Sequence, residues 1–308
     1  MPLSSASGLR ALRRRSVLGA LAGAGVAATT RRAGSAGVDL RVITSGSDTA
    51  TRLIVEAMAQ KFSGFQASAD VHALAQRRGP AVFAALGPGA LQNALDVDLG
   101  GPLLSLFVSN EAFARTVEAA PRRSRGPVTA IYAEAAPGNQ MQLIRALYAR
   151  RVSVGVLVSD ATARQESALR RAARLADLDV DLQLVEPGEN VLRALTRVSA
   201  AHVLLTIPDR GLYTADNLRG ILESTYRRNQ GVIGFSASLV TAGTLAAAYS
   251  SIDDILAQVA ELAPTLAAGR VPDPQYPAYW RVAVNDSVAR SLNVVVSDAA
   301  RNLGNRPS

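Results

Sequence analysis

The chain has 308 residues, of which 48% are hydrophobic and 19% are charged, a composition that excludes a mostly disordered protein. This length is enough for two domains of ordinary size. The sequence holds no cysteine, which excludes disulfides, zinc–thiolate sites, iron–sulfur clusters, a cysteine nucleophile and a lipid anchor on cysteine. Lys and Arg number 33 against 25 Asp and Glu, and the net charge of +8 favours a nucleic-acid partner only if the excess lies on the folded part.

Residues 1–36 contain six arginines and no acidic residue. Within them, residues 17–30 form a small and apolar run, shorter than the roughly 20 residues that a membrane-spanning helix needs. A basic segment before such a run is typical of an export signal, and Arg14-Arg15 resembles the twin-arginine type. The alternative is a basic tail on a cytoplasmic protein, although such tails rarely contain an apolar run. We predict a twin-arginine signal peptide over residues 1–36 and export to the periplasm.

The rest of the chain is close to neutral. After residue 36 it keeps 27 basic and 25 acidic side chains, a net charge of +2. Its basic pairs, such as Arg77-Arg78 and Arg227-Arg228, are spread over separate predicted helices and loops with few aromatic residues between them. We interpret these pairs as solvated helix faces and predict no nucleic-acid partner.

From residue 38 onward, short apolar runs alternate with amphipathic stretches, the pattern of a parallel sheet with helical connections. Strands are predicted over residues 40–44, 71–74, 81–86, 103–108, 128–133, 152–158, 180–185, 203–207, 232–235, 245–249 and 280–284. Helices are predicted over residues 49–62, 89–95, 139–149, 162–176, 191–197, 215–229 and 252–268, with a last short helix after residue 284. The continuous apolar runs at 152–158 and 203–207 indicate strands that are buried on both faces. The sequence therefore predicts an α/β protein.

Catalytic and metal-binding patterns are scarce. His72 and His202 lie far apart, and neither has a carboxylate at the spacing of a metal site. Residues 234–238 resemble a nucleophile elbow but lack its second flanking glycine. Gly87-Pro88-Gly89 lacks the third glycine of a dinucleotide-binding turn. We predict no metal, no cofactor and no catalytic residue.

Small polar residues follow the carboxyl ends of predicted strands in both halves of the chain. In open parallel sheets, ligands bind at that edge, where helix N-termini present free N–H groups. Helix capping is the alternative, because Ser, Asp and Asn are preferred N-caps whatever the function. Their presence in both halves favours a cleft between two lobes. The candidates are Ser45, Ser47, Gly87, Ser109, Ser159, Asp160, Asp209 and Ser236.

Several segments, by their order and spacing, resemble the ABC-transporter substrate-binding family that includes tryptophan- and tyrosine-binding members. They are residues 128–132 (VTAIY), 142–147 (QLIRAL), 154–159 (VGVLVS), 233–236 (IGFS), 242–247 (AGTLAA) and 283–285 (AVN). The resemblance covers essentially the whole chain after residue 36. It implies a type I periplasmic-binding-protein fold, with two Rossmann-like lobes of parallel sheet joined by a hinge that the chain crosses three times, near residues 128, 248 and 279.

The resemblance also implies the boundaries of the lobes. Lobe 1 is expected to take residues 37–128 and 248–278, and lobe 2 residues 129–247 and 279–308. The first lobe departs from the family in two ways. It has little sequence between residues 62 and 81, and Ser109-Asn110-Glu111 stands where the family usually has an Asp-Pro turn.

A receptor of this family is a periplasmic solute-binding protein of an ABC-type importer and not an enzyme. We expect Ser45 and Ser47 to hold an anionic group and Asp209 to hold an amine, as an amino-acid-like ligand requires. Tyr132 or Tyr249, near the hinge, would pack on its apolar part. Second-lobe hydrogen bonds are expected from Ser159, Asp160 and Ser236. The expected partners are a small-molecule ligand and a membrane permease with its ATPase, with no lipid anchor.

Two other functions stay open at this point. A protein of the same fold can serve as a sensing accessory for a membrane kinase or an outer-membrane uptake system. An enzyme of sugar-nucleotide type also pairs two Rossmann-like lobes, but it needs a phosphate-cradling loop and catalytic carboxylates, and the sequence has neither in evidence.

Overall fold

The computed structural model describes residues 38–121 and 126–307. The predicted signal peptide, residues 1–36, lies outside the described residues. Among the residues that are described, no helix combines the length and the apolar character needed to cross a membrane.

The first sheet consists of parallel strands. They are β1 (Leu40–Ile43), β2 (Gln66–Ser68), β3 (Val82–Leu86), β4 (Leu103–Val108) and β5 (Val128–Tyr132). Their order across the sheet is β2-β1-β3-β4-β5. Every residue of β1 and β3 is buried, because helices cover both faces of the sheet.

Two groups of helices cover the first sheet. Helices α1 (Thr49–Lys61) and α10 (Ile252–Ala267) pack on one face, where Met58 and Ile255 lie in a core with Val42. The other face is covered by α2 (Val71–Ala75), α3 (Gly87–Leu95) and α4 (Asn110–Ala119). Helix α10 therefore returns to the first sheet from a late part of the chain.

The second sheet has the strand order β11-β10-β9-β8-β6-β7, and only the β10–β11 pair is antiparallel. In chain order these strands are β6 (Ser153–Val158), β7 (Asp179–Leu184), β8 (Val203–Leu205), β9 (Gly231–Gly234), β10 (Ala246–Tyr249) and β11 (Arg281–Val284).

Helices also cover both faces of the second sheet. One face carries α5 (Pro137–Tyr148), α6 (Glu166–Leu175), α11 (Asp286–Ser291) and α12 (Asp298–Arg301). The other face carries α7 (Val191–Ala194), a 3-10 helix (Leu195–Val198) and α8 (Ala215–Tyr226). The short helix α9 (Ala237–Ala242) joins β9 to β10, and a second 3-10 helix (Ala163–Gln165) precedes α6.

The described chain passes between the two sheets three times: after β5, after β10 and before β11. The crossings lie side by side. Tyr132 N donates to Gln275 O at 2.9 Å, and Glu134 pairs with Tyr249 in an isolated antiparallel bridge. The α/β class and the two sheets of mostly parallel strands, joined by three crossings of the chain, are thus confirmed, and the antiparallel β11 is the exception to the predicted parallel sheets.

A buried ion pair ties the second crossing to the third. Arg281, at the start of β11, donates to both carboxylate oxygens of Asp254 at 2.7 and 2.8 Å. Asp254 is fully buried in the first turn of α10, where it also forms a capping box with Ser251. Because an uncompensated charge in this position is costly, the pair holds α10 and β11 in one geometry.

The strand predicted at residues 71–74 is wrong. These residues begin α2, because the Asp70 carboxylate accepts a hydrogen bond from Ala73 N at 3.0 Å and caps a helix there. The strand on the outer side of β1 is instead Gln66–Ser68, which is too short and too polar to stand out in the sequence. Helix α4 was also not predicted, although Ser109 caps it.

The boundary predicted between residues 128 and 129 needs a correction. Residues Val128–Tyr132 form the edge strand of the first sheet and pair along β4 from Leu103 to Val108. The first crossing therefore begins after Tyr132. Four residues that were assigned to lobe 2 belong with the first sheet, since their backbone hydrogen bonds are made there.

Candidate functional site

A small cavity lies where two of the crossings meet the carboxyl ends of the second sheet. Its volume is about 20 Å³, close to the roughly 10–15 Å³ that one water molecule needs. Its lining includes Glu134 from the first crossing, Tyr276 from the third, Gln165 from the 3-10 helix, and Pro208 and Phe235 after β8 and β9. The site is therefore bounded by both the hinge and the second lobe.

Glu134 is the buried carboxyl of this cavity, with 5% of its surface exposed. Oε1 accepts a hydrogen bond from Asn110 N at 2.9 Å, whereas Oε2 has no hydrogen-bond partner among the described residues. Burial is the main cause that raises the pKa of Glu134 to about 7, and the nearby carboxyl of Glu111 makes a smaller contribution in the same direction. Glu134 thus presents one unused oxygen in a site with little water.

The backbone at the end of β4 is irregular just before Asn110, whose N–H donates to Glu134. Phe107 has a φ of 58° where the register between β4 and β5 shifts, and Ala133 N donates to Val108 O at 3.0 Å just beyond the shift. A non-glycine residue in this region of φ is uncommon.

Gln165 is the second buried polar group of the cavity. It is 7% exposed, and its Nε2 has no partner among the described residues. Its position depends on the preceding turn, in which Thr162 N donates to Ser159 O at 2.9 Å and Gln165 N donates to Thr162 O at 2.9 Å. A donor from the second lobe and an acceptor from the hinge therefore face the same space.

Aromatic rings surround these polar groups. Tyr276 lies edge-on to Tyr132 with ring centroids 5.0 Å apart, and Tyr132 lies edge-on to Phe113 at 5.9 Å. Burial raises the pKa of both tyrosine hydroxyls, so they stay neutral. On the opposite side, Phe235 packs against Tyr213 at 6.3 Å. The cavity therefore offers apolar contact together with two directed polar groups.

Arg164 links the two lobes beside this cavity. Its guanidinium donates to the carbonyls of Asn110 and Glu111, each at 3.3 Å, and forms an ion pair with Glu118 at 3.3 Å. All three partners belong to α4 on the first sheet, whereas Arg164 follows β6 of the second. Since the cavity is little larger than a water molecule, a larger molecule would fit only if these contacts separated.

Replacing Arg164 by glutamine removes its ion pair with Glu118, and a partly exposed ion pair contributes up to about 1 kcal/mol. The fraction of molecules in which the two lobes have separated is therefore expected to rise about two- to fivefold relative to the fraction in which they are in contact. The natural chain has no cysteine, so spin labels at Gln60→Cys and Arg174→Cys report the distance between the lobes. Arg170→Gln is the control, since Arg170 pairs with Glu166 at 2.7 Å within the second lobe. Identical distance distributions for Arg164→Gln and the unmodified chain would contradict this role.

Asp209 needs a revised role. Its carboxylate is 6% exposed and accepts hydrogen bonds from Ser159 Oγ at 2.6 Å and Thr162 Oγ1 at 2.7 Å. It also accepts from the backbone N–H of Gly211 at 2.9 Å and of Leu212 at 3.2 Å. With four donors from its own chain, the carboxylate has no free position for a ligand amine. We revise its role to holding the loops after β6 and β8.

Other predicted residues serve as helix caps. Ser109 caps α4 and Ser236 caps α9, each accepting from a backbone N–H with its side chain. The Ser159 hydroxyl is used by Asp209, and Asp160 is exposed beside it. None of these four side chains is among those that line the cavity of Glu134.

The predicted residues of the first lobe lie elsewhere. Ser47 lines an open groove of about 500 Å³ between α1 and β2, and Ser45 contacts the start of α3 near Gly89. Gly87 begins α3 with a φ of 83°, a conformation that only glycine adopts readily. Of the hinge tyrosines, Tyr132 packs on the cavity residue Tyr276, and Tyr249 pairs with Glu134 through the backbone.

Sequence reasoning missed Glu134, Gln165 and Tyr276. One signal was present, since Glu134 is the only acidic residue between Glu118 and Asp160, and it directly follows a predicted strand. Gln165 and Tyr276 gave no such signal. Among the described residues, no group of three or more histidine and acidic side chains could hold a metal ion.

No protein-family model and no curated protein matches the sequence. Solved structures match over most of the chain. A substrate binding protein with adhesive properties from Clostridium difficile, in its ligand-free, open structure, has 15% identity and a TM-score of 0.60 over 86% of this chain and 98% of its own. An ABC domain from Streptococcus pneumonia in complex with L-Trp has 16% identity and a TM-score of 0.55 over 86% and 97%.

A conserved domain protein from Vibrio cholerae is similar to the same extent, with 16% identity and a TM-score of 0.55 over 86% of this chain and 98% of its own. At this level of identity, the likeness establishes the fold. The chain has the type I periplasmic-binding-protein fold of ABC-transporter substrate-binding proteins, which confirms the resemblance found in the sequence at the level of the fold.

Proposed function

We propose that the protein is a solute receptor of an ABC-type importer, which closes two lobes around a small ligand and performs no chemical step. The proposal includes export by the twin-arginine route to the periplasm. It also includes a permease and its ATPase as partners, without a lipid anchor, since the sequence offers no cysteine for one.

One observation supports this function above all. Two buried polar atoms that have no partner among the described residues, Glu134 Oε2 and Gln165 Nε2, belong to side chains that line the same cavity between the hinge and the second lobe. An unsatisfied buried polar group costs about 1–3 kcal/mol, and a ligand that bonds both atoms would remove that cost. A ligand that spans them contacts the hinge and the second lobe together, which favours closure.

The ligand is proposed to be amino-acid-like, with Glu134 in place of Asp209 as the partner of its amine. The L-Trp complex of the Streptococcus pneumonia domain gives a precedent for such a ligand on this fold. In this chain, Tyr276 and Phe235 are the side chains proposed to contact the apolar part of the ligand.

A thermal-shift screen of the purified chain tests the receptor role. The panel holds the twenty amino acids, primary amines, polyols and inorganic phosphate. A ligand at 100 times its Kd stabilises by about 2.7 kcal/mol, which raises Tm by roughly 5–10 °C. Gln165→Ala is expected to reduce the shift, whereas Gln142→Ala, on the exposed side of α5, should leave it unchanged. The proposal fails if no compound raises Tm and native mass spectrometry finds only the protein mass.

A further inference from the structure

A larger cavity lies at the amino ends of strands in the second sheet, away from the hinge. Its volume is about 610 Å³, within the range of about 300–1,000 Å³ that small-molecule sites occupy. Its lining includes His202 and Gln230, which directly precede β8 and β9, and Arg150, which lies shortly before β6. The cavity of Glu134 lies at the carboxyl ends of the second sheet. The two cavities are therefore at opposite ends of this sheet.

The charged side chains of this larger cavity are all basic. Among the described residues that line it are Arg150, Arg228 and His202, and no Asp or Glu. We infer that the cavity binds a small oxyanion, a molecule that carries a phosphate or carboxylate group. This site goes beyond the proposed receptor function and does not depend on it. Arginine suits such a ligand, because its planar guanidinium donates two parallel hydrogen bonds to one oxyanion.

Arg228 is held in place by its neighbours. Its guanidinium donates to Ser224 Oγ at 2.8 Å and to Gln230 Oε1 at 3.2 Å. Gln230 is buried and is itself fixed, because its Nε2 donates to Val198 O and Ala201 O, each at 2.9 Å. None of these partners is a carboxylate, so the side chain of Arg228 is oriented while its positive charge has no ion pair within the described chain.

Three further polar groups that line the cavity are unused. The Arg150 guanidinium and the Tyr148 hydroxyl have no hydrogen-bond partner among the described residues. His202 bonds Ser153 Oγ through Nδ1 at 2.8 Å, and its Nε2 has no partner in the described chain. Gly231 makes room for the Tyr148 hydroxyl, since a Cβ at this position would lie 2.6 Å from it. Burial raises the pKa of Tyr148 to about 12, so its O–H stays a donor.

The helix ends beside the cavity do not cancel its positive charge. Helices α5 and α8 end there, and the carbonyls of a helix C-terminus carry about half a negative charge. Two guanidinium groups carry two full positive charges, which outweigh both helix ends together. Basic side chains can also cap such carbonyls. Arg228 donates instead to two side chains, and Arg150 donates to no described residue, so neither serves as a cap.

Calorimetry with matched probes tests this inference. Glycerol 3-phosphate and glycerol differ by one phosphate group, and citrate carries carboxylates in its place. We expect at least one of the two anions to bind and glycerol not to bind. Its Kd should be about tenfold weaker in 500 mM NaCl than in 50 mM NaCl, because salt screens the attraction to the arginines. The anion that binds more tightly identifies phosphate or carboxylate as the preferred group.

Variants place the binding in this cavity. Arg150→Gln is the most direct, because Arg150 is exposed and unpaired in the described chain, so the fold should stay intact. We expect Arg150→Gln and Arg228→Gln each to weaken anion binding about tenfold, and Tyr148→Phe about threefold. Arg270→Gln is the control, since Arg270 is another exposed arginine without a side-chain partner among the described residues. It should bind anions like the unmodified chain.

Two results would overturn the inference. The first is that neither anion binds with a Kd below about 10 mM. The second is that Arg150→Gln and Arg228→Gln bind the anions as tightly as Arg270→Gln does. Both results leave the receptor function untouched, because the site lies at the other end of the sheet from the cavity of Glu134.

Discussion

Between pH 5 and pH 8 the unmodified chain is expected to lose about 2.5 kcal/mol of its free energy of unfolding, and glutamine at position 134 is expected to abolish this loss. The pKa of Glu134 is raised from 4.5 to about 7 in the folded protein. Between these values the folded state binds more protons than the unfolded state, so the free energy of unfolding falls as pH rises. Well above pH 7 the buried carboxylate of Glu134 is charged, and the whole free-energy cost of burying that charge lowers the stability of the folded protein.

Urea unfolding of both proteins at pH 5, 6, 7 and 8 measures this effect. Relative to the unmodified chain, Glu134→Gln should gain about 2.5 kcal/mol in free energy of unfolding from pH 5 to pH 8. Glu56→Gln, which replaces an exposed carboxyl of α1, should give a difference that is constant with pH. Parallel pH profiles for Glu134→Gln and the unmodified chain would show that Glu134 is ionised in the folded protein at pH 5.

Alanine at position 209 is expected to lower the free energy of unfolding by about 3–5 kcal/mol, with Tm lower by on the order of 10 °C. The reason is that two hydroxyls and two backbone N–H groups lose their common acceptor in a buried place. Asp160→Ala is the matched control, because Asp160 is exposed and adjacent to Ser159, and its effect should stay within about 0.5 kcal/mol.

The same variant separates the two roles considered for Asp209. Ligand affinity is measured by calorimetry at a temperature where the variant is folded. If Asp209→Ala loses stability but still binds the ligand, Asp209 holds the loop of Ser159 and Thr162 and does not contact the ligand. Unchanged stability with affinity abolished would return Asp209 to direct contact with the amine.

Most of the fold could be predicted from the sequence, because a strand that is buried on both faces is a continuous run of apolar residues, and such a run is visible without knowledge of the tertiary structure. The apolar run at 152–158 became β6 (Ser153–Val158), and the run at 203–207 became β8. The strand predicted at Val71-His72-Ala73-Leu74 was wrong, since this tetrapeptide fits both an alternating strand and one turn of an amphipathic helix. The residues form a helix because the carboxylate of Asp70 caps it.

The candidate site could be predicted far less well. Ser109 and Ser236 cap helices, and a capping serine and a ligand-binding serine have the same place in the sequence. The sequence around Asp209 does not reveal its role, because two of its four hydrogen-bond donors, Ser159 and Thr162, lie about 50 positions earlier. Glu134 and Tyr276 come together only because the first and third crossings lie next to each other, which is a property of the whole fold.

The backbone of Glu134 pairs with Tyr249 between the first two crossings, while its side chain lines the cavity. The residue proposed to recognise the ligand is thus also part of the crossings about which the proposed closure would turn. Evolution of a new ligand preference at this position would alter the rates of opening and closing as well. Variants selected for a changed ligand are therefore expected to pair a substitution at Glu134 with a second one in the crossings that restores the motion.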